Sequence, residues 1–204
     1  MATYAPASLD LDVLNDEIVS IYARVATDPH GDFHFHRGPA YAVKLLGYDA
    51  AALAQLPERS TASFAGVGNP HAIGELREGE TVLDIGSGAG TDLLLAARAV
   101  GPTGRAIGID FTESMREVAK ASAAELGYEQ VDVREGDALD LPVDDDSVDV
   151  VISNGVLNLT PNKERAFREI LRVLKPGGRL QLADIILEAE LSEGARSDID
   201  LWTG

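Results

Sequence analysis

The sequence contains no cysteine, so disulfides, thiolate metal sites and cysteine nucleophiles cannot be built from these 204 residues. Positive charge is scarce. The 17 Lys and Arg face 34 Asp and Glu, a net charge of −17, and a surface this acidic repels the phosphate backbones of DNA and RNA. Lysine is confined to Lys44, Lys120, Lys163 and Lys175, a trait of composition that says nothing about activity. Long apolar runs are missing too: none approaches the roughly 18 residues that mark a membrane span. Met1-Ala2-Thr3-Tyr4 has no basic stretch leading into an apolar core, so the expectation is a cytoplasmic protein with no membrane partner. Apolar residues still make up 45%, which suits a globular chain of one α/β domain and a small extension.

What is present centres on Val82-Leu83-Asp84-Ile85-Gly86-Ser87-Gly88-Ala89-Gly90. A short apolar run ends in an acid and then in glycines at alternate positions. The pattern predicts the first strand and first turn of a nucleotide-binding α/β domain, with a helix opening near Thr91 whose free N–H groups face the ligand. Its spacing is GxGxG rather than the GxGxxG of dinucleotide dehydrogenases. Asp84 stands two residues before the first glycine. An acid there suits a ligand with a cationic end, such as the sulfonium and amino group of S-adenosylmethionine; the alternative is an acid that stiffens the turn by accepting backbone N–H bonds.

Around this stretch the first 80 residues read as an irregular helical preface. Val13, Leu14, Ile18, Ile21, Tyr22 and Val25 recur at helical spacing over 12–26. Further helices are expected over 39–46, stopped by Gly47, over 50–56, and as a short piece over 71–76, with 60–70 a loop. From Thr81 the pattern becomes regular. Strands are expected at 81–85, 105–109, 130–134, 148–153 and 179–187. Helices are expected at 91–100, at 112–126 with a stripe of Met115, Val118, Ala119 and Ser122, and from Thr160-Pro161 with a stripe of Phe167, Ile170, Leu171 and Leu174. Such alternation predicts a doubly wound, mostly parallel Rossmann-like sheet. The expected division is a helical lid and substrate wall over 1–80 and a ligand-binding α/β domain over 81–204.

Several residues could carry chemistry. Asp110, closing the second strand, is placed to accept ribose hydroxyls, or else is a helix N-terminal acid. Asp137 with Ala138 could meet an adenine amino group, or Asp137 is a solvated acid in an acidic loop. Asn154 and Asn158 follow the fourth strand where a methyl group would pass; either could instead cap a turn. His30, His34 and His36 lack a completing ligand pattern, so no metal site is expected. His34 or His36 could serve as a general base and Asn158 as a polar catalytic contact, though loop residues are the simpler reading.

Taken together, VLDIGSGAG at 82–90, GID at 108–110, EGDALDLP at 135–142, DVVISN at 149–154 and VLKPGGRL at 173–180 resemble the class I S-adenosylmethionine-dependent methyltransferases. The resemblance implies S-adenosylmethionine as cofactor and S-adenosylhomocysteine as product. It implies a cofactor site of Asp84, Gly86, Ser87, Gly88, Gly90, Asp110, Phe111, Gly136, Asp137, Ala138 and Asn154. A narrower similarity runs through SNGVLNLTPNKERAFREILRVLKPGGRLQLADI, Asp200-Leu201-Trp202 and Ile21 to Ala26. It points to the arsenite methyltransferase branch, in which a helix bearing a tyrosine, here Tyr22, caps the cofactor. That branch binds trivalent arsenic through cysteines, one of them where this chain has Gly155 and another just beyond Trp202. Arsenic(III) is soft and needs thiolates. The expectation is therefore methyl transfer to a different small molecule, with arsenite methylation disfavoured and a non-catalytic S-adenosylmethionine-binding protein as the rival. The segment after strand five is too short for the family's remaining strands. This predicts an exposed sheet edge that could pair with a second copy.

Overall fold

The computed structural model describes residues 5–6, 9–186 and 202. Its centre is a five-stranded, wholly parallel sheet of order β3-β2-β1-β4-β5. The strands are β1 (Thr81–Ile85), β2 (Arg105–Asp110), β3 (Val131–Glu135), β4 (Val148–Asn154) and β5 (Leu174–Ala183). The helices are α1 (Leu11–Thr27), α2 (Gly38–Leu46), α3 (Ala50–Leu53), α4 (Glu58–Ala62), α5 (Thr91–Val100), α6 (Glu113–Leu126) and α7 (Lys163–Val173).

Strand alternation sorts the core into two layers, because successive side chains point to opposite faces. Leu83, Ile85, Ile107, Ile109 and Val151 meet Ala166, Ile170 and Val173 of α7 on one face. Val82, Val150 and Ile152 meet Ala96 and Val100 of α5 on the other. Each such aliphatic side chain, taken from water to full burial, contributes about 1.5–3 kcal/mol. The central strands β1 and β4 are therefore apolar on both sides, as the expected parallel sheet requires. The helical N-terminal part is present as well. Asp10 caps α1 by accepting from Asp12 N and Val13 N, and α1 lies against α6. No helix among the described residues is long and apolar enough to cross a membrane.

Several expectations are corrected. The stretch 60–70 is not all loop: α4 occupies 58–62, started by Pro57, whose φ of −56° suits a helix entry. Helix α3 stops at Leu53, and a one-turn 3₁₀ helix, Pro70–Ala72, replaces the piece expected at 71–76. Helix α7 starts after Pro161, because Asn162 caps it by accepting from Arg165 N at 2.9 Å; a 3₁₀ turn, Leu157–Leu159, fills the gap before it. Of its expected stripe, Phe167 and Leu171 are 38% and 71% exposed, while Ala166 and Val173 take the buried places. The small Ala166 lets α7 sit close to the sheet. Strand β5 begins at Leu174 through an irregular register, with Gly177 at φ +84°, rather than at Arg179. Leu187, the expected end of that strand, lies outside the described residues. β3 and β5 are the outer strands of the sheet.

Candidate active site

The carboxyl ends of β1, β2 and β4 open into a solvent-connected cleft, the place where an open parallel sheet meets ligands. Its floor is the turn after β1. Gly86, at φ +69°, packs so tightly that a Cβ would come within 2.3 Å of Val156 Cγ2. The turn is tied to the end of β2, since Gly86 N and Ser87 N donate to Ile109 O at 2.8 and 3.0 Å. Gly90, left-handed as well, then opens α5.

Asp110 holds this arrangement. One carboxylate oxygen accepts from Gly88 N and the other from Thr112 N, each at 2.8 Å. Burial pushes its carboxyl upwards; the amides of Thr112 and Gly88 and the Arg116 guanidinium oppose the shift. A carboxylate offers about four lone-pair sites, so each oxygen can accept once more. Arg116, buried beside it, donates to Asp110 O at 3.1 Å and to Glu135 at 2.9 Å.

Asp84 is 2% exposed, and its Oδ2 has no hydrogen-bond partner among the described residues. Burial first, then Asp92 and Asp110, push its carboxyl well above the usual carboxylate range, against the opposing Leu93 N–H. Ser87 Oγ, also in the cleft lining, is buried and has no hydrogen-bond partner among the described residues.

Asp92, in the first turn of α5, also lines the cleft and anchors a polar knot. It accepts from Tyr48 OH at 2.7 Å and from Asn154 Nδ2 at 3.0 Å, with His71 Nε2 at 3.1 Å. Asn154 Oδ1 accepts from Val67 N at 2.8 Å and Gly68 N at 3.1 Å. Its amide thus pins the 64–68 loop, whose Phe64, Ala65 and Gly66 form a cleft wall. A Cβ at Gly66 would come within 2.2 Å of Asn154 Nδ2, so only glycine permits this approach. The rest of that wall comes from Ile18 and Tyr22 of α1, Ser63, and Val156 and Leu159 after β4. Burial and the Asp110 charge push the Tyr22 hydroxyl up to about 12.

Asp84, Gly86, Ser87, Gly88, Asp110, Phe111, Asn154 and Tyr22 therefore meet in one cleft, and Gly90 starts the helix beneath it. Gly136, Asp137 and Ala138 follow β3 outside the lining. Asp137 is exposed and spends Oδ1 on Leu139 N at 2.9 Å, while Ala138 is buried in the sheet core. The candidate catalytic residues lie elsewhere. His34 and His36 are exposed and away from the cleft lining, because Phe33, Phe35 and Arg37 alternate inward between them; His36 stacks on Tyr41 at 5.3 Å. Asn158 faces the β5 end, its backbone N donating to Asp184 Oδ2 at 3.0 Å and its side-chain amide nitrogen, turned towards them, to Gly155 O and Asp184 Oδ1. It braces the turn and is not among the residues that line the cleft. Among the described residues no group of three or more His, Cys, Asp or Glu is placed to hold a metal ion.

Sequence reasoning missed Asp92, Tyr48, His71 and Arg116. Asp92 carried a signal, an acid in the first turn of the helix after a glycine-rich loop. Tyr48 and His71 carried none, since their partner lies far along the chain.

Comparison with known proteins places this cleft among relatives. A family described as Methyltransferase domain matches residues 76–203. An arsenite methyltransferase of Halobacterium salinarum is 45% identical over 159 residues, which are 78% of this chain and 40% of that protein. The crystal structure of an arsenic(III) S-adenosylmethionine methyltransferase from Chlamydomonas reinhardtii superposes with a TM-score of 0.66 at 38% identity, covering 72% of this chain and 52% of that one. A SAM-dependent methyltransferase from Aquifex aeolicus gives 0.54 at 26% identity, covering 76% and 79%. The chain thus spans 40% of the archaeal relative and about half, 52%, of the algal one.

Proposed function

The chain belongs to the class I S-adenosylmethionine-dependent methyltransferases, close to the arsenite methyltransferase branch, and from that premise we propose that it transfers a methyl group from S-adenosylmethionine to a small molecule held in the cleft. One observation carries the reading: the buried Oδ2 of Asp84 in the cleft lining, which has no hydrogen-bond partner among the described residues. Leaving a carboxylate oxygen buried and unpaired is costly, and a cationic group brought to it relieves that cost. A pyrophosphate would instead meet the carboxylates of Asp84, Asp92 and Asp110, which counts against a nicotinamide dinucleotide.

The residues present fit the cofactor. Asp84 and the Gly86–Gly90 turn would hold its amino-acid end, the spare lone pairs of Asp110 its ribose, and Phe111 its base. When bound, the cofactor supplies a methyl group already activated on a sulfonium sulfur. The chain's task is then alignment and exclusion of water rather than bond activation. Ile18, Tyr22, Phe64, Val156 and Leu159 give the cleft an apolar wall suited to that task. The Tyr22 hydroxyl, with its pKa near 12, stays neutral at physiological pH. Residues 1–80 serve as lid and substrate wall to the 81–204 unit. The test is formation of S-adenosylhomocysteine from S-adenosylmethionine across a panel of thiols, phenols and amines. A chain that binds the cofactor yet forms none with any acceptor contradicts the catalytic reading and favours a binding protein.

The relatives favour a second reading, arsenite as acceptor. Trivalent arsenic takes soft thiolate ligands. This sequence has no cysteine, so arsenite would have to arrive carrying thiolates from another molecule. Arsenite-dependent turnover that requires added thiol would support this reading.

A further inference from the structure

One wall of the cleft has a second layer. Ile18, which faces the cleft, belongs to an apolar cluster with Leu9 and Leu14, against which Tyr22, Leu159 and Trp202 also pack. Trp202 therefore packs on the same apolar cluster as three cleft-lining side chains, although it lies far beyond β5 in sequence. It is also tied to the turn that carries Leu159. The Lys163 ammonium donates to Asn158 O at 3.0 Å and Thr160 O at 3.3 Å, and it stands 5.3 Å from the centre of the Trp202 ring. That is within range of a cation–π contact, which strengthens as the cation loses water. Lys163 is partly desolvated: burial pushes its ammonium pKa down, and the Asp184 carboxylate opposes the shift.

We infer that Trp202 is a positioning residue of the cleft: anchored by the Lys163 ammonium, it holds the Ile18–Tyr22–Leu159 wall in the place where a bound ligand meets it. The inference rests on the cofactor reading above. A ligand filling the cleft touches Ile18, Tyr22 and Leu159, and so alters the surroundings of a ring one layer out. The sequence holds a single tryptophan, so tryptophan-excited emission reports on this position alone.

The experiment titrates the intact chain with S-adenosylhomocysteine, by calorimetry and by Trp202 emission in parallel. Trp202→Ala and Trp202→Phe are titrated by calorimetry, with their thermal unfolding recorded. Three results are expected together. Wild-type emission follows the calorimetric isotherm. Trp202→Ala raises the Kd roughly five-fold or more. Trp202→Phe, which keeps an aromatic face for Lys163 and fills the wall, stays within roughly two-fold of wild type. Calorimetric binding with flat Trp202 emission overturns the positioning role alone. So does a Trp202→Ala variant that unfolds at a lower temperature but binds as wild type does. A folded wild type giving no binding heat overturns the cofactor reading, and the positioning role falls with it.

Discussion

Replacing Asp84 with asparagine separates a ligand contact from a structural prop, because the two roles move stability and affinity in different directions. Asp84 is 2% exposed, one of its oxygens has no partner among the described residues, and Asp92 and Asp110 stand close enough to push its carboxyl further up. The isosteric amide keeps the shape, removes the charge and can donate towards the neighbouring acids. The raised carboxyl sets the sign. Below the unfolded-state value of about 3.9 both states hold the proton and no penalty exists. As pH rises from there, the unfolded chain loses its proton first, so the native state loses stability until its own raised pKa is passed. Asp84→Asn abolishes that loss. The ligand-free variant should therefore melt above wild type at pH 8, with the gap closing towards pH 4. A gain of about 1 kcal/mol corresponds to about 2–4 °C in a chain of this size. Affinity should fall instead. Loss of a hydrogen bond to a charged group, about 1.5–3 kcal/mol, raises the Kd for S-adenosylhomocysteine about 10- to 150-fold. Below its raised pKa, Asp84 must also shed its proton to meet a cation. Wild-type binding enthalpies should then depend on the buffer's ionisation enthalpy, and the variant's should not. A variant that melts lower but binds unchanged would refute the reasoning and make Asp84 a stiffener of the turn.

Further predictions follow from the same geometry. Gly86→Ala combines φ +69° with a clash against Val156 and should cost roughly 2–5 kcal/mol in urea unfolding, whereas Gly88→Ala, with nothing within 4 Å of the added Cβ, should cost only the backbone strain of roughly 1–2 kcal/mol. Asn154→Ala strands Val67 N and Gly68 N and should cost roughly 2–4 kcal/mol, with amide exchange speeding up at those two residues. Ile170→Ala should destabilise by about 2–5 kcal/mol, while Leu171→Ala on the open face of α7 should stay within about 0.5 kcal/mol in the same assay.

Most of the sheet was legible because its signals are local. The apolar runs of β1 and β4, the glycine stop at Gly47, and the acid–glycine turn at 84–90 each announce themselves within a few residues. Helix α7 misled twice, for physical reasons: Asn162 outcompetes Pro161 as a start signal by satisfying a free N–H, and Ala166 fills a buried place where periodicity favoured the larger Phe167. The half of the cleft built from the strand ends was readable from local sequence. Its other half was not, since Ser63, Phe64 and Ala65 reach it only because Asn154, Tyr48 and Asp92 knit together parts of the chain far apart in sequence. The histidines drew attention by their chemistry, yet the alternation of 33–37 turns His34 and His36 outward.

The central claim is that this cleft binds the methyl donor through its acidic floor. The most direct test is calorimetric titration of the wild-type chain with S-adenosylmethionine, S-adenosylhomocysteine and NAD. Saturable one-to-one binding of the first two, with no heat from NAD, is the predicted result. Saturable binding of NAD by a folded chain that ignores both S-adenosyl ligands would contradict it.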